Sequence, residues 1–122
     1  MKHRILVVED YADTREALAH LLAAEGYEVV CASNGKEALE RLREAEPSII
    51  LLDYAMPVMD GRAFREAQSR NPRWASIPVV LITAHRHTAF ALRSIDAVAV
   101  LQKPIDYESL KPVLDRCCRD RE

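Results

Sequence analysis

The sequence predicts an α/β fold, a doubly wound sheet of five parallel strands in the order 2-1-3-4-5 with helices on both faces. Three observations lead there. Short apolar, β-rich runs alternate with helical patterns along the whole chain. These runs do not alternate with polar residues, as expected of strands covered on both faces. The 122 residues suit a single domain with one hydrophobic core, expected over residues 1–122.

"ILVV" (5–8) reads as the first buried strand. Asp13 and Glu16 then make a D-x-x-E pair of the capping-box type. Ala17, Leu18, Leu21 and Leu22 share one face of the helix that Gly26 ends. "EVVCA" (28–32) is the second strand, and Asn34-Gly35 leads into a helix with Ala38, Leu39, Leu42 and Ala45 inward. "SIILL" (48–52) is the third strand, and a helix from about Arg62 to Ser69 follows. "NPRWASIP" (71–78) is a loop and "VVLIT" (79–83) the fourth strand. Residues 88–95 give a short helix and "AVAVL" (97–101) the fifth strand. Asp106 starts the last helix, where Pro112 loses a hydrogen bond and crowds the carbonyl of Glu108. The expectation there is either a kink or a start near Ser109, with Pro112 in the first turn. Right-handed crossovers make such a chain a flavodoxin-like three-layer sandwich.

Apolar residues make up 49% of the chain and charged residues 30%, an ordinary globular balance. The net charge of −2 argues against a basic nucleic-acid footprint over the domain. No apolar run approaches the roughly 20 residues that cross a bilayer, so no membrane role is expected. "MKHRILVVED" lacks the layout of a signal peptide, and a cytoplasmic location is expected. Cys31, Cys117 and Cys118 form no disulfide framework, and the last two read as small residues of a terminal helix.

The polar residues at the strand ends carry the chemistry. Strand one ends in Glu9-Asp10, strand three in Asp53 and strand four in Thr83, while Lys103 follows strand five. Each has an ordinary explanation alone, as a solvated acid, a cap, a strand threonine or a surface lysine. In the order 2-1-3-4-5, strands 1, 3, 4 and 5 are neighbours, so all of these residues meet at the carboxyl edge, where open α/β sheets bind ligands. Three close carboxylates repel unless one keeps a proton or a cation joins them. Oxygen-only donors in an open site suit Mg2+, while His85 and His87 offer no convincing zinc site. Carboxylates, Mg2+, a hydroxyl and a lysine together suit phosphoryl transfer, with central Asp53 as nucleophile.

Glu9-Asp10, "DYAMPVMDG" (53–61), "ITA" (82–84) and Lys103-Pro104, in that order and at near-family spacing, resemble the signature of response-regulator receiver domains. The resemblance runs over the whole chain. It implies that Asp53 accepts a phosphoryl group from a histidine of a sensor kinase or phosphotransfer protein. It implies Asp10 and Asp53 as direct Mg2+ ligands, Glu9 as a ligand through water and the carbonyl of Ala55 as a further ligand. Thr83 would hydrogen-bond the phosphoryl group and Lys103 would pair with it. The peptide bond before Pro104 is cis in many members of the family. Output would go to a downstream protein or a fused domain, without direct nucleic-acid binding, and a phosphorylation-dependent dimer is compatible with this reading.

Three departures stand out. Val100 occupies a position, three before the lysine, where the family usually has Tyr or Phe. Valine is short and stiff and cannot swing inward as that aromatic does, which points the signal toward strand four and the helix after it. The segment from Thr83 to Lys103 is about two residues short, and "SIDAVAVL" lacks the common Gly-Ala. The resemblance implies that the positions of Ala55 and His85 flank the path of the water that hydrolyses the phosphoryl group, and His85→Ala is expected to change the lifetime of that group. An aspartate-nucleophile phosphatase would want a second acid at Ala55, and a redox carrier would want a phosphate-binding loop in place of "EDYADTRE". A partner-binding module that works without phosphorylation is the main alternative.

Overall fold

The computed structural model describes residues 3–54, 56, 58–83 and 95–120, the last two as backbone only. Its five strands are β1 (Arg4–Val8), β2 (Glu28–Ala32), β3 (Ile49–Asp53), β4 (Val79–Thr83) and β5 (Ala99–Gln102). They form one parallel sheet in the order β2-β1-β3-β4-β5, as the sequence predicts. The helices among the described residues are α1 (Ala12–Ala24), α2 (Gly35–Glu44), α3 (Gly61–Ser69) and α4 (Tyr107–Asp120).

The continuous apolar runs have a direct cause, because each strand serves two cores. Leu6, Val8, Ile50, Leu52 and Leu81 pack against Ala38 and Leu42 of α2 and Phe64 of α3. Ile5, Val7, Ile49, Leu51, Val80 and Ile82 pack against Leu18 and Leu22 of α1 and Leu110 and Leu114 of α4. Successive side chains point to opposite faces, so a strand apolar on both must be apolar throughout.

Several boundaries differ from the sequence reading. The Asp13/Glu16 capping box does not form: α1 starts at Ala12, its N-cap is Tyr11 without a side-chain cap bond, and Asp13 lies in the first turn. The C-terminus of α1 is a Schellman turn, with Tyr27 N donating to Leu22 O, Gly26 N to Ala23 O and Gly26 at φ 96°. β5 begins at Ala99 rather than residue 97, after Asp96 turns the chain at φ 59° and Val98 N bonds Val79 O. The 71–78 loop is partly core, with Trp74 and Ile77 buried and Gln68 donating to both of their carbonyls. α4 starts at Tyr107, capped by Asp106 Oδ1 on Ser109 N at 2.8 Å, so the start near Ser109 is not observed and Pro112 lies inside the helix. The short helix expected over 88–95 lies outside the described residues except for Ile95.

Candidate functional site

The sheet register delivers the polar residues to one edge. Val8 pairs with Leu52, Asp53 with Ile82 and Thr83 with Gln102, so four strands end nearly level. Backbone bonds carry the pairing just beyond the strands: Glu9 N to Ala32 O, Tyr54 N to Ile82 O and Lys103 N to Thr83 O. Lys103-Pro104 is a cis peptide bond.

Glu9, Asp53 and Thr83 are buried, while Asp10 is exposed. One carboxylate oxygen each from Glu9, Asp10 and Asp53 lies within 4.8 Å of the others, a set that can hold a metal ion. Lys103 Nζ is 2.9 Å from Glu9 Oε1 and 3.3 Å from Asp53 Oδ1. Glu9 Oε1 is the oxygen that meets Lys103, while Oε2 accepts from Tyr11 N at 3.2 Å. Asp53 Oδ2 is buried without a hydrogen-bond partner.

The charges are badly matched without a cation. Burial, then the hydrogen bond and negative charge of Glu9, push the Asp53 pKa up to about 8. Asp10 moves the other way: burial works to raise it, but hydrogen bonds with Asp53 and Glu9 and the charge of Lys103 outweigh that effect. The two shifts run in opposite directions: burial beside Glu9 favours the neutral form of Asp53, while Asp10 is favoured in its charged form. For Lys103, burial opposes the charge, yet the Glu9 hydrogen bond and the Asp53 charge win and its pKa is raised.

The turn after Asp53 folds back under tight constraints. Gly61 N donates to Tyr54 O at 2.9 Å, and a Cβ on Gly61 would sit 3.1 Å from Asp53 O. Met59 O accepts from Gly35 N at 3.2 Å, which ties the turn to the start of α2. Val58 is left-handed at φ 70°, a strained geometry for a β-branched residue. Asp60 is the N-cap of α3, accepting from Ala63 N at 2.9 Å, and is not a fourth site acid. Ala55, His85 and His87 lie outside the described residues. The sequence reading passed over Arg15, although an arginine in the first turn of a helix opposes the helix dipole and so is a signal in itself.

The family model described as the response regulator receiver domain matches residues 5–115. The regulatory protein AtoC of Escherichia coli is 34% identical over 117 residues, which cover 93% of this chain and 25% of AtoC. The chain thus spans about a quarter of the length of that curated relative. Among solved structures, the signal receiver domain of a signal transduction histidine kinase from Syntrophus aciditrophicus is 32% identical, with a TM-score of 0.84 over 94% of this chain and 89% of that one. The response regulator protein TrrA of Thermotoga maritima, solved in complex with Mg2+-BeF, is also 32% identical, with a TM-score of 0.83 over 96% of this chain and 99% of that one.

Proposed function

Because the chain belongs to the response regulator receiver domain family, we propose that it is a Mg2+-dependent switch that accepts a phosphoryl group on Asp53. The observation that carries this reading is the meeting of Glu9, Asp10 and Asp53 within 4.8 Å, with Lys103 bridging two of them. The residues fit a Mg2+ ion, since the donors are all oxygen and Asp53 Oδ2 is a buried oxygen lacking a partner. Asp10 and Asp53 would bind it directly and Glu9 through water, with the carbonyl of Ala55 as a further ligand. When bound, Mg2+ supplies positive charge to the phosphoryl oxygens.

Asp53 is the nucleophile. Its carboxylate oxygen bonds to phosphorus as the P–N bond of a phosphohistidine breaks, and the imidazole keeps the electron pair. Lys103, already paired with Asp53 and Glu9, follows the negative charge onto the phosphoryl oxygens. The Thr83 hydroxyl, one residue from Lys103 across the β4–β5 ladder, hydrogen-bonds the same group. The chain assists only its own phosphorylation and dephosphorylation. Its donor is a sensor histidine kinase or a histidine phosphotransfer protein. An open apolar groove of about 520 Å³ beside Lys103, between α1 and residues 104–105, gives that donor a surface to rest on. Output goes to a downstream protein or a fused domain, in keeping with a longer regulatory relative.

Val100 faces Leu81 in the ladder and packs against the core cluster, so it has no aromatic ring to swing. The phosphorylation signal therefore leaves through the end of β4 and residues 84–95. Unchanged NMR shifts over residues 83–95 on phosphorylation would remove that route. The switch itself is tested with acetyl phosphate and Mg2+, read by intact mass. One added phosphoryl group, absent in Asp53→Asn, is expected. No adduct on the wild-type protein favours a partner-binding module instead.

A further inference from the structure

Arg15 occupies the first turn of α1, whose N-cap Tyr11 offers no side-chain cap. A cation there faces the positive end of the helix dipole and would ordinarily turn out to solvent. Arg15 turns back instead. Its Nη1 donates to Glu9 O at 2.9 Å and to Asp10 O at 3.4 Å. Its own backbone N donates to Tyr11 O at 3.0 Å. That last bond is the ordinary first bond of the helix; the side chain itself holds the carbonyls of both acids, and it does so half-buried.

The two acids need such a hold in different degrees. The Glu9 side chain is enclosed and has Lys103 and Tyr11 N as partners. Asp10 is exposed, so the aim of its carboxylate depends on the backbone that carries it. Glu9 N is tied to Ala32 O on one side, and the Arg15 contacts close the other side.

We propose that Arg15 is a positioning residue for the cation site, clamping the backbone of Glu9 and Asp10 so that Asp10 points at the ion. This rests on the Mg2+ reading above. Both carbonyl contacts are made by the single Nη1 nitrogen, placed by the length of the arginine stem, and a lysine would have to bring its Nζ to the same point on a shorter stem.

The test compares Arg15→Met, which keeps the stem without donors, Arg15→Lys, which keeps the charge, and Ala23→Gly, which loosens α1 far from the turn. Mg2+ affinity is measured by calorimetry, and exchange of the Tyr11 amide is measured by NMR on metal-free protein. Arg15→Met is expected to bind Mg2+ about tenfold more weakly, the usual scale for losing a group that orients a ligand. Its Tyr11 amide should exchange at least tenfold faster. Arg15→Lys should fall between it and wild type, and Ala23→Gly should match wild type in both measurements. Wild-type affinity and exchange in Arg15→Met would overturn the proposal, as would equal losses in Ala23→Gly. A wild-type protein that binds no Mg2+ would overturn both this proposal and the reading beneath it, so the two failures are distinguishable.

Discussion

All five residues of β3 are buried, whereas none of the four residues of β5 is. The central strand is paired on both sides, by β1 and β4, and covered by cores on both faces. β5 stands at the end of the sheet order and pairs only with β4 among the described strands. Each strand hands its environment to the polar residue at its end. Asp53 inherits burial, which is the first cause of its raised pKa. The Lys103 side chain follows an edge strand and stays 35% exposed even while paired with Glu9 and Asp53. A buried acid and a partly exposed cation therefore arise from the packing difference between two strands of one sheet.

The largest expected effect tests that packing difference. Leu51→Ala, in the middle of β3, should cost about 2–5 kcal/mol, while Val100→Ala, the partly buried neighbour on β5, should cost about 1 kcal/mol. Urea unfolding of both variants checks this, and equal losses would erase the contrast.

Next comes the charge held by the centre. With Asp53 pushed up to about 8 from a usual 3.8, the native state keeps a proton that the unfolded chain has released. The unfolded state binds fewer protons in that window, so stability of the metal-free protein falls as pH rises from about 4 to about 8. Asp53→Asn removes this loss and should be more stable than wild type near pH 8. Mg2+ should stabilise the wild type there and do little for the variant. Thermal melts across pH, with and without Mg2+, read both effects.

Smaller effects should come from the turn that joins the centre to α3. A Cβ on Gly35 would lie 2.7 Å from Met59 Cγ and 2.8 Å from Met59 O. Gly35→Ala should therefore cost about 1–3 kcal/mol and weaken Mg2+ binding, because the turn itself must shift. Val58→Asn should have the opposite sign and stabilise by about 1 kcal/mol, since asparagine tolerates φ 70° better than valine. A destabilised Val58→Asn in urea unfolding would show that the turn is not strained.

The strand order and the meeting of Glu9, Asp10, Asp53 and Lys103, with Thr83 at the end of the next strand, were legible because both follow from periodicity and strand ends. Features set by tertiary neighbours were not. Asp13 and Glu16 have capping-box spacing, yet α1 starts two residues too early to use it, with Arg15 tied to the turn before it. "AVAVL" is uniformly apolar, so nothing local marks where pairing with β4 begins; Asp96 and the Val98–Val79 bond decide it. Trp74 in a proline-containing loop reads as surface until Gln68 of α3 is seen to hold its carbonyl. Pro112 has an unfavourable helix propensity, but Leu110 and Leu114 on either side of it are fully buried, and their packing holds the helix together.

The central claim is that the end of β3 is a buried acid waiting for a cation. The direct measurement is a pH titration of the Asp53 carboxyl carbon by 13C NMR, without and with saturating Mg2+. The account predicts titration near pH 8 in the metal-free protein and a fall to the usual carboxylate range or below with Mg2+. Titration in the usual range that ignores Mg2+ would contradict it.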